Sequence, residues 1–284
     1  MVFLLSGLNS GQIRVKFKST NKKPIRNGVK LMKKKNILGV KSRLADTGLK
    51  VYDISMTIEP DMPVYKGRKE MAPRLVTLFS HDSAGNDQSD NNNQSDSNHQ
   101  SNNNLQSSSI HQSEITMNIH TGTHIDAPLH MIKEGAKFDY FTDDDLLTPC
   151  QVLDMSEIQE KITAADLEKL DIRGGNFILL KTRNSDPGFL EDNPEKFIYL
   201  EESGARMLAE LEPQPAGVGI DALGIERDQP GHPSHRALLK KKIIILEGLR
   251  LKKVPEGFYT LLLAPLKFKT TEGAPARAFL LEES

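Results

Sequence analysis

The sequence predicts an α/β fold in a single domain over residues 48–284. Three observations carry this prediction: strand-like and helix-like segments follow one another along this stretch, no internal repeat is visible, and hydrophobic residues make up 37 % of the chain. No apolar run approaches the roughly 20 residues that a membrane-spanning helix needs. We therefore expect a soluble globular protein with one sizeable core and no membrane contact.

The predicted elements follow from local patterns. Alternation or β-branching indicates the strands, and the apolar run KIIILE (242–247) is typical of a buried strand. Thr163 lies three residues before Asp166, a spacing that favours the start of a helix, and Pro213 ends the next helix. The predicted strands are 51–55, 115–120, 176–181, 216–220, 242–247, 259–265 and 276–281, and the predicted helices are 163–170, 203–211 and 234–240.

Charge is distributed unevenly along the chain. The net charge is −1, yet residues 1–47 contain twelve Lys or Arg and one acidic residue. This basic N-terminal extension is interpreted as a disordered tail, as an organelle transit peptide, or as an arm for nucleic acid or anionic lipid. The near-neutral total argues against a nucleic-acid-binding protein, and we expect a cytoplasmic location with organelle targeting left open. The single cysteine, Cys150, excludes an internal disulfide and a CxxC site.

Residues 80–113 are predicted to be a disordered insertion. Of these 34 residues, ten are Ser, eight Asn, five Gln and four Asp. Such a composition buries too little apolar surface to offset the entropy of ordering. A long loop between two strands costs little once its ends are held, because closure entropy rises only logarithmically with length.

The densest group of reactive side chains lies in HTGTHIDAPLH (120–130). His120, His124, Asp126 and His130 are separated by even spacings, so an extended chain places all four on one face. A straight strand would spread them over roughly 33 Å, at about 3.3 Å per residue. The chain must therefore bend, and Gly122 and Pro128 are the residues that permit it.

Three imidazoles and a carboxylate at this density favour a metal site. Nitrogen and carboxylate oxygen donors suit zinc, manganese or iron without a thiolate. The alternative is a polar strand whose histidines are merely hydrogen-bonded.

A second group comprises His232, His235 and Glu247. Glu247 ends the buried strand, where an isolated charge is costly and must be paired or bound to a metal. The helix and strand between His235 and Glu247 can return the two to one place, but spacing alone leaves this undecided. His232 is interpreted as an exposed loop residue.

The run 120–130 resembles the signature of the cyclase family of metal-dependent hydrolases, which includes bacterial kynurenine formamidase and isatin hydrolase. The resemblance covers roughly residues 50–284 outside the insertion. Its weaker matches occur in the family's order: YDIS (52–55), DMP (61–63), GID (219–221), EGL (247–249), APL (264–266) and GAPAR (273–277). The family fold is a single domain around a curved, barrel-like mixed β-sheet with flanking helices, of the swivelling β/β/α type.

The resemblance implies roles for individual residues. His120, His124 and Asp126 match the ligands of one divalent ion, and Asp126, His235 and Glu247 match those of a second, with Asp126 and Glu247 shared. His130 matches the catalytic acid/base. The implied cofactors are two divalent ions per subunit, zinc in first place and manganese in second. The implied partners are a small-molecule amide and further copies of the chain, in a homodimer or homotetramer.

The implied reaction is cleavage of an amide C–N bond, in a formamide or a cyclic amide, by metal-activated water. Kynurenine formamidases of this type carry a substrate-stacking Trp at the position of Tyr65, and this chain has no Trp. Tyr65 is expected to stack on a ring in its place. Lys66 and Arg68 would favour an anionic substrate, or are solvated loop charges. The alternative function is a non-catalytic metal-binding or regulatory protein on the same fold.

Overall fold

Twelve strands and four α-helices form the part of the protein that the computed structural model describes, residues 48–79 and 111–282. The helices are α1 (Ala164–Leu167), α2 (Phe189–Asp192), α3 (Glu202–Ala209) and α4 (Pro233–Lys240). The strands are β1 (Lys50–Asp53), β2 (Arg74–Phe79), β3 (Gln112–Thr116), β4 (His124–Asp126), β5 (Leu147–Asp154), β6 (Lys161–Ile162), β7 (Phe177–Lys181), β8 (Tyr199–Leu200), β9 (Gly217–Ile220), β10 (Ile244–Glu247), β11 (Gly257–Pro265) and β12 (Gly273–Glu282).

Seven of these strands close into a ring. Their order is β12, β11, β5, β7, β9, β10 and β4, and β4 pairs back onto the start of β12, while β1 pairs with the C-terminal part of β12. The neighbours from β5 to β10 run parallel, and the other pairs are antiparallel. The prediction of a single α/β domain around a barrel-like mixed sheet is confirmed.

The interior of the ring is filled by side chains that alternate inward along its strands. β4 contributes Ile125, β7 contributes Leu179 and β10 contributes Leu246, and all three are fully buried. β9 presents glycines instead: a Cβ on Gly217 would lie 2.2 Å from the Phe177 ring. Only glycine leaves room there for the large side chains of β7.

The opposite face of the parallel strands is covered by helices α3 and α4. Leu208 of α3 and Leu238 of α4 join one buried cluster with Ile178, Ile220 and Ile245 from the sheet. Each helix therefore hides one apolar face against strands whose own side chains alternate in and out. Among the described residues, none of the helices has the length and apolar character needed to traverse a bilayer.

Most predicted elements are present, with boundaries shifted by a few residues. Thr163 and Asp166 form the expected reciprocal cap, with Thr163 N donating to Asp166 Oδ2 at 3.0 Å, but α1 ends after one turn, at Leu167 rather than residue 170. Strand β5 was not predicted, because residues 147–151 (LTPCQ) contain a proline and show no clear strand pattern; its pairing partners on both sides lie elsewhere in the chain.

Much of two predicted segments lies outside the described residues. The basic extension (1–47) and residues 80–110 of the insertion stay predictions. The last residues of the predicted insertion are a correction: Gln112 and Ser113 belong to β3, because β2 offers them a strand to pair with. The insertion therefore joins two strands, as expected, and β3 begins two residues after position 110.

Candidate metal centre

Adjacent strands bring the first three candidate ligands to one face of the sheet. His124 of β4 lies directly opposite Glu247 of β10, and Asp126 follows two residues along β4. Residues opposite each other, and residues two apart, project to the same side of a sheet. Ile125 points the other way into the ring, so His124, Asp126 and Glu247 face the side that α4 covers.

The chain bends sharply just before β4, at the position that the sequence predicted. Gly122 has φ +71° and Gly248, at the end of β10, has φ +69°. A Cβ on Gly248 would lie 2.2 Å from the carbonyl oxygen of Gly122, so glycine is needed for this close approach. The Thr123 hydroxyl donates to Gly248 O at 2.6 Å and accepts from Met56 N at 2.7 Å. These contacts fix the ends of the two ligand-bearing segments together.

Helix α4 supplies His235 from the opposite direction. The helix begins at Pro233, and His235, two residues further along, is buried. Its Nε2 lies 3.5 Å from Asp126 Oδ2 and 3.3 Å from Glu247 Oε1. The His-rich run 120–130 and the pair His235 and Glu247, which are far apart in the sequence, therefore meet at one place in the structure.

His120 and His130 lie on the open side of these carboxylates. His120 Nδ1 is 2.9 Å from Asp126 Oδ1. The ring of His130 is tilted by 32° against that of His120, with centroids 4.0 Å apart, and its centroid is 5.6 Å from that of His235. His130 ends a short 3-10 turn (Pro128–His130), which carries the chain away from β4.

The residues present fit a metal ion. Among the described residues, the buried side-chain atoms without a hydrogen-bond partner include His120 Nε2, His124 Nε2 and Asp126 Oδ2. A buried polar atom without a partner destabilises the folded state by about 1–3 kcal/mol unless a ligand binds to it. His124 Nδ1 donates to Gly122 O at 2.9 Å, which leaves the Nε2 lone pair aimed at the carboxylates.

Distances support the same conclusion. His124 Nε2 lies 3.4 Å from Asp126 Oδ1 and 3.2 Å from Glu247 Oε2. Two donors bound to one ion at about 2.1 Å each lie about 3.4 Å apart in a tetrahedral site. The donor set is imidazole and carboxylate throughout, which suits a divalent transition metal.

The carboxylates create a strongly negative site. Burial and Asp126 oppose ionisation of Glu247, but the adjacent imidazoles of His124 and His235 outweigh them and lower its pKa to about 2. Burial likewise opposes ionisation of Asp126, yet the surrounding imidazoles of His120, His124 and His235 hold its pKa well below the usual range. Burial lowers the pKa of His124, but Asp126 and Glu247 raise it overall to about 10. Both carboxylates thus stay ionised and attract a cation, whether a proton or a metal ion.

His130 differs from the other imidazoles. Burial lowers its pKa, and the neighbouring His120 and His235 lower it further, against the opposing effect of Asp126. A neutral imidazole near pH 7 has a free nitrogen to accept a proton.

A cavity of about 420 Å³ opens onto these residues. Tyr65 lines it, and the Tyr65 ring packs over Gly224, where a Cβ would lie 3.0 Å from Tyr65 Cε2. Arg68 and Glu70 line it too, whereas Lys66 pairs with Asp228 at 2.5 Å. The apolar part of the lining comes from Met71, Met131 and Leu223.

All seven candidate residues are therefore found around one cavity or directly beneath it. His232, interpreted as an exposed loop residue, is half-exposed but also lines the cavity and lies 3.2 Å from Glu226. Sequence reasoning missed Glu226, a buried carboxylate in contact with His235. The only available signal was an acidic residue shortly after a parallel strand, which is too common a pattern to single it out.

Comparisons with known proteins point in one direction. Residues 52–227 match the family model Cyclase, described as "Putative cyclase". The kynurenine formamidase of Bacillus thuringiensis (strain Al Hakam) is 33 % identical over 172 residues, which cover 61 % of this chain and 80 % of that protein. The solved structure of a "predicted metal-dependent hydrolase" from Bacillus stearothermophilus is 42 % identical, with a TM-score of 0.64 over 82 % of this chain and 98 % of that one. Isatin hydrolase A from Labrenzia aggregata shares the fold at 22 % identity, with a TM-score of 0.67 over 88 % of this chain and all (100 %) of that one.

Proposed function

The chain belongs to the cyclase family, and on that premise we propose that it is a metal-dependent hydrolase that cleaves an amide C–N bond. The convergence of Asp126 and Glu247 with the imidazoles of His124 and His235 carries this proposal. The similarity to kynurenine formamidases supports a formamide or a related amide as substrate.

Two divalent ions would be held by the candidate ligands. His120, His124 and Asp126 would bind one, and His235 would bind the other, with Asp126 and Glu247 shared between them. Zinc is expected first, because imidazole nitrogen and carboxylate oxygen are among its usual ligands, and manganese second. When bound, such ions act as Lewis acids on water and on a carbonyl oxygen.

His130 is proposed as the acid/base. Its ring lies on the cavity side, beside His120 and His235. As a neutral imidazole it can take a proton from the attacking water, and it can then deliver that proton to the leaving nitrogen. The amide bond breaks as the nitrogen is protonated, so one residue serves both halves of the reaction.

The cavity supports a small substrate with an aromatic ring. Tyr65 offers a ring face or edge, and the methionines beside it can adapt to planar groups. Arg68 and Glu70 place opposite charges on the rim, so a substrate with both an anionic and a cationic group would find a partner for each.

Elemental analysis together with amide assays tests this function. We expect about two equivalents of zinc or manganese per chain after dialysis, and turnover of at least one of N-formylkynurenine, isatin and simple linear or cyclic amides. Removal of the metal with a chelator should abolish turnover, and added metal should restore it. Two bound equivalents without turnover of any amide would favour the non-catalytic metal-binding alternative, and a protein free of metal would overturn the proposal.

We also propose that the chain forms a homodimer or homotetramer. β2 and β3 form a two-stranded sheet separate from the ring, and Leu75, Leu78 and Ile115 on it are 57 %, 45 % and 51 % exposed. Isolated hairpins are marginally stable in water, and exposed apolar side chains at this density are typical of interfaces.

Light scattering after size exclusion tests the assembly. The parent chain should elute as a dimer or tetramer, and a Leu75→Glu, Ile115→Glu double variant should shift toward the monomer. Thr270→Glu, at an exposed position in the bend before β12 and away from this sheet, controls for added charge. A monomeric parent at micromolar concentration would contradict the proposal.

A further inference from the structure

Glu226 is a buried carboxylate that the proposed chemistry does not use. It is 1 % exposed and lies in the segment that leads from β9 to α4. Its Oε1 is 2.5 Å from His235 Nδ1 and 3.2 Å from His232 Nδ1. Its Oε2 accepts hydrogen bonds from Ser234 N at 2.9 Å and Gln229 Nε2 at 3.1 Å.

The contact with His235 fixes which nitrogen of that imidazole carries a proton. An ionised carboxylate only accepts hydrogen bonds, so His235 Nδ1 must donate to Glu226 Oε1. The Nε2 atom is then the side that faces Asp126 Oδ2 and Glu247 Oε1, at 3.5 Å and 3.3 Å. The imidazole is therefore held between one carboxylate behind it and two in front of it.

We propose that Glu226 is a positioning residue, whose negative charge orients His235 through its Nδ1–H and makes Nε2 a stronger donor to the metal ion. This inference rests on the proposed metal-dependent function. Carboxylates behind metal-binding histidines act in this way, and removing such a partner commonly weakens metal affinity 10- to 100-fold.

Glu226 also has a structural contact that must be separated from this role. Its Oε2 accepts from the Ser234 backbone N–H at the first turn of α4. A glutamine at this position keeps the size of the side chain and one oxygen for this bond, but it removes the charge, and its NH2 group cannot accept the proton of His235 Nδ1–H. A purely structural role therefore predicts no change of metal affinity in Glu226→Gln.

Metal affinity of the full-length protein tests the proposal. Zinc dissociation constants are measured by competition with a chromogenic chelator, and cobalt(II) spectra report the geometry around the ion. We expect Glu226→Gln to weaken one of the two ions about tenfold and Glu226→Ala by up to about 100-fold, with an altered cobalt spectrum and the other ion little affected. If Glu226→Ala fails to fold, Glu226→Gln decides alone.

Asp221→Asn is the matched control. Asp221 is fully buried at 0 % exposure, and its carboxylate bonds to Thr182 and Ser185 rather than to the candidate ligands. Loss of this charge should leave both zinc affinities as in the parent.

The outcomes are distinguishable from failure of the proposed function. If the parent chain binds no metal, the proposed metal-dependent function is wrong. A parent with two ions and a Glu226→Gln variant of equal affinity and equal cobalt spectrum overturns the role of Glu226 alone. Glu226, His232 and His235 are also close enough together to bind an ion of their own. If the parent bound three ions and the Glu226 variants lost only that third one, the role of Glu226 as a positioning residue would also be wrong.

Discussion

Replacing Asp126 with alanine is expected to remove both proposed metal ions and to lower hydrolysis by at least about 10⁴-fold, because in the proposed reaction these ions would supply most of the rate enhancement. Asp126 is fully buried at 0 % exposure and lies within 3.5 Å of three imidazoles, those of His120, His124 and His235. It is also the residue proposed to bridge the two ions. Metal content after dialysis and turnover of the best amide substrate measure the effect.

Asp154→Ala is the control for removal of an aspartate. Asp154 ends β5 and pairs with Lys181 at 2.8 Å, away from the candidate ligands, so this variant should keep both ions and its activity. The role of Asp126 as a shared ligand would be refuted by an Asp126→Ala protein that folds and retains two equivalents of metal after dialysis.

Replacing His130 with alanine is expected to lower kcat by about 10²- to 10⁴-fold while the metal content stays near that of the parent. This range is the usual contribution of a positioned acid/base. We expect turnover and metal content to respond differently because the His130 ring lines the cavity, tilted against the His120 ring at a centroid distance of 4.0 Å. Steady-state kinetics and elemental analysis of the same preparation provide both values.

His111→Ala controls for the loss of a histidine, because His111 precedes β3 and does not line the cavity. His120, Asp126 and His130 are also close enough together to bind an ion as a trio. If His130→Ala lost metal and regained full activity on addition of zinc, His130 would be a ligand and the acid/base role would be wrong.

The sequence predicted the candidate ligands because they lie close together in it. His120, His124, Asp126 and His130 fall within eleven residues, and the need for a bend at Gly122 followed from the length of a straight strand. His235 and Glu247 could be grouped with them only through the family resemblance. Their approach depends on the pairing of β4 with β10, which no local pattern encodes.

The closure of the seven-stranded ring could not be predicted from local sequence patterns either. Strand β5 begins Leu-Thr-Pro, without a regular alternation and with Pro149 near its start, so its strand propensity is weak, and its two neighbours decide its conformation. Glu226 was missed for a related reason: its importance comes from the position of one imidazole nitrogen in space. Signals that depend on periodicity or on short spacing therefore revealed half of the site, and tertiary pairing supplied the rest.

The pairing of β4 with β12 has a consequence for the order of events during synthesis of the protein. Asp126 lies opposite Gly273, and His124 lies opposite Pro275, so the ligand strand is seated only after the C-terminal strand has been made. Before residues 273–275 have been made, this edge of β4 has no partner strand, and the proposed centre lacks this support. Binding of the proposed metal ions should therefore follow the pairing of β4 with β12, and it should stabilise this closure of the ring, which depends on contacts between distant parts of the chain.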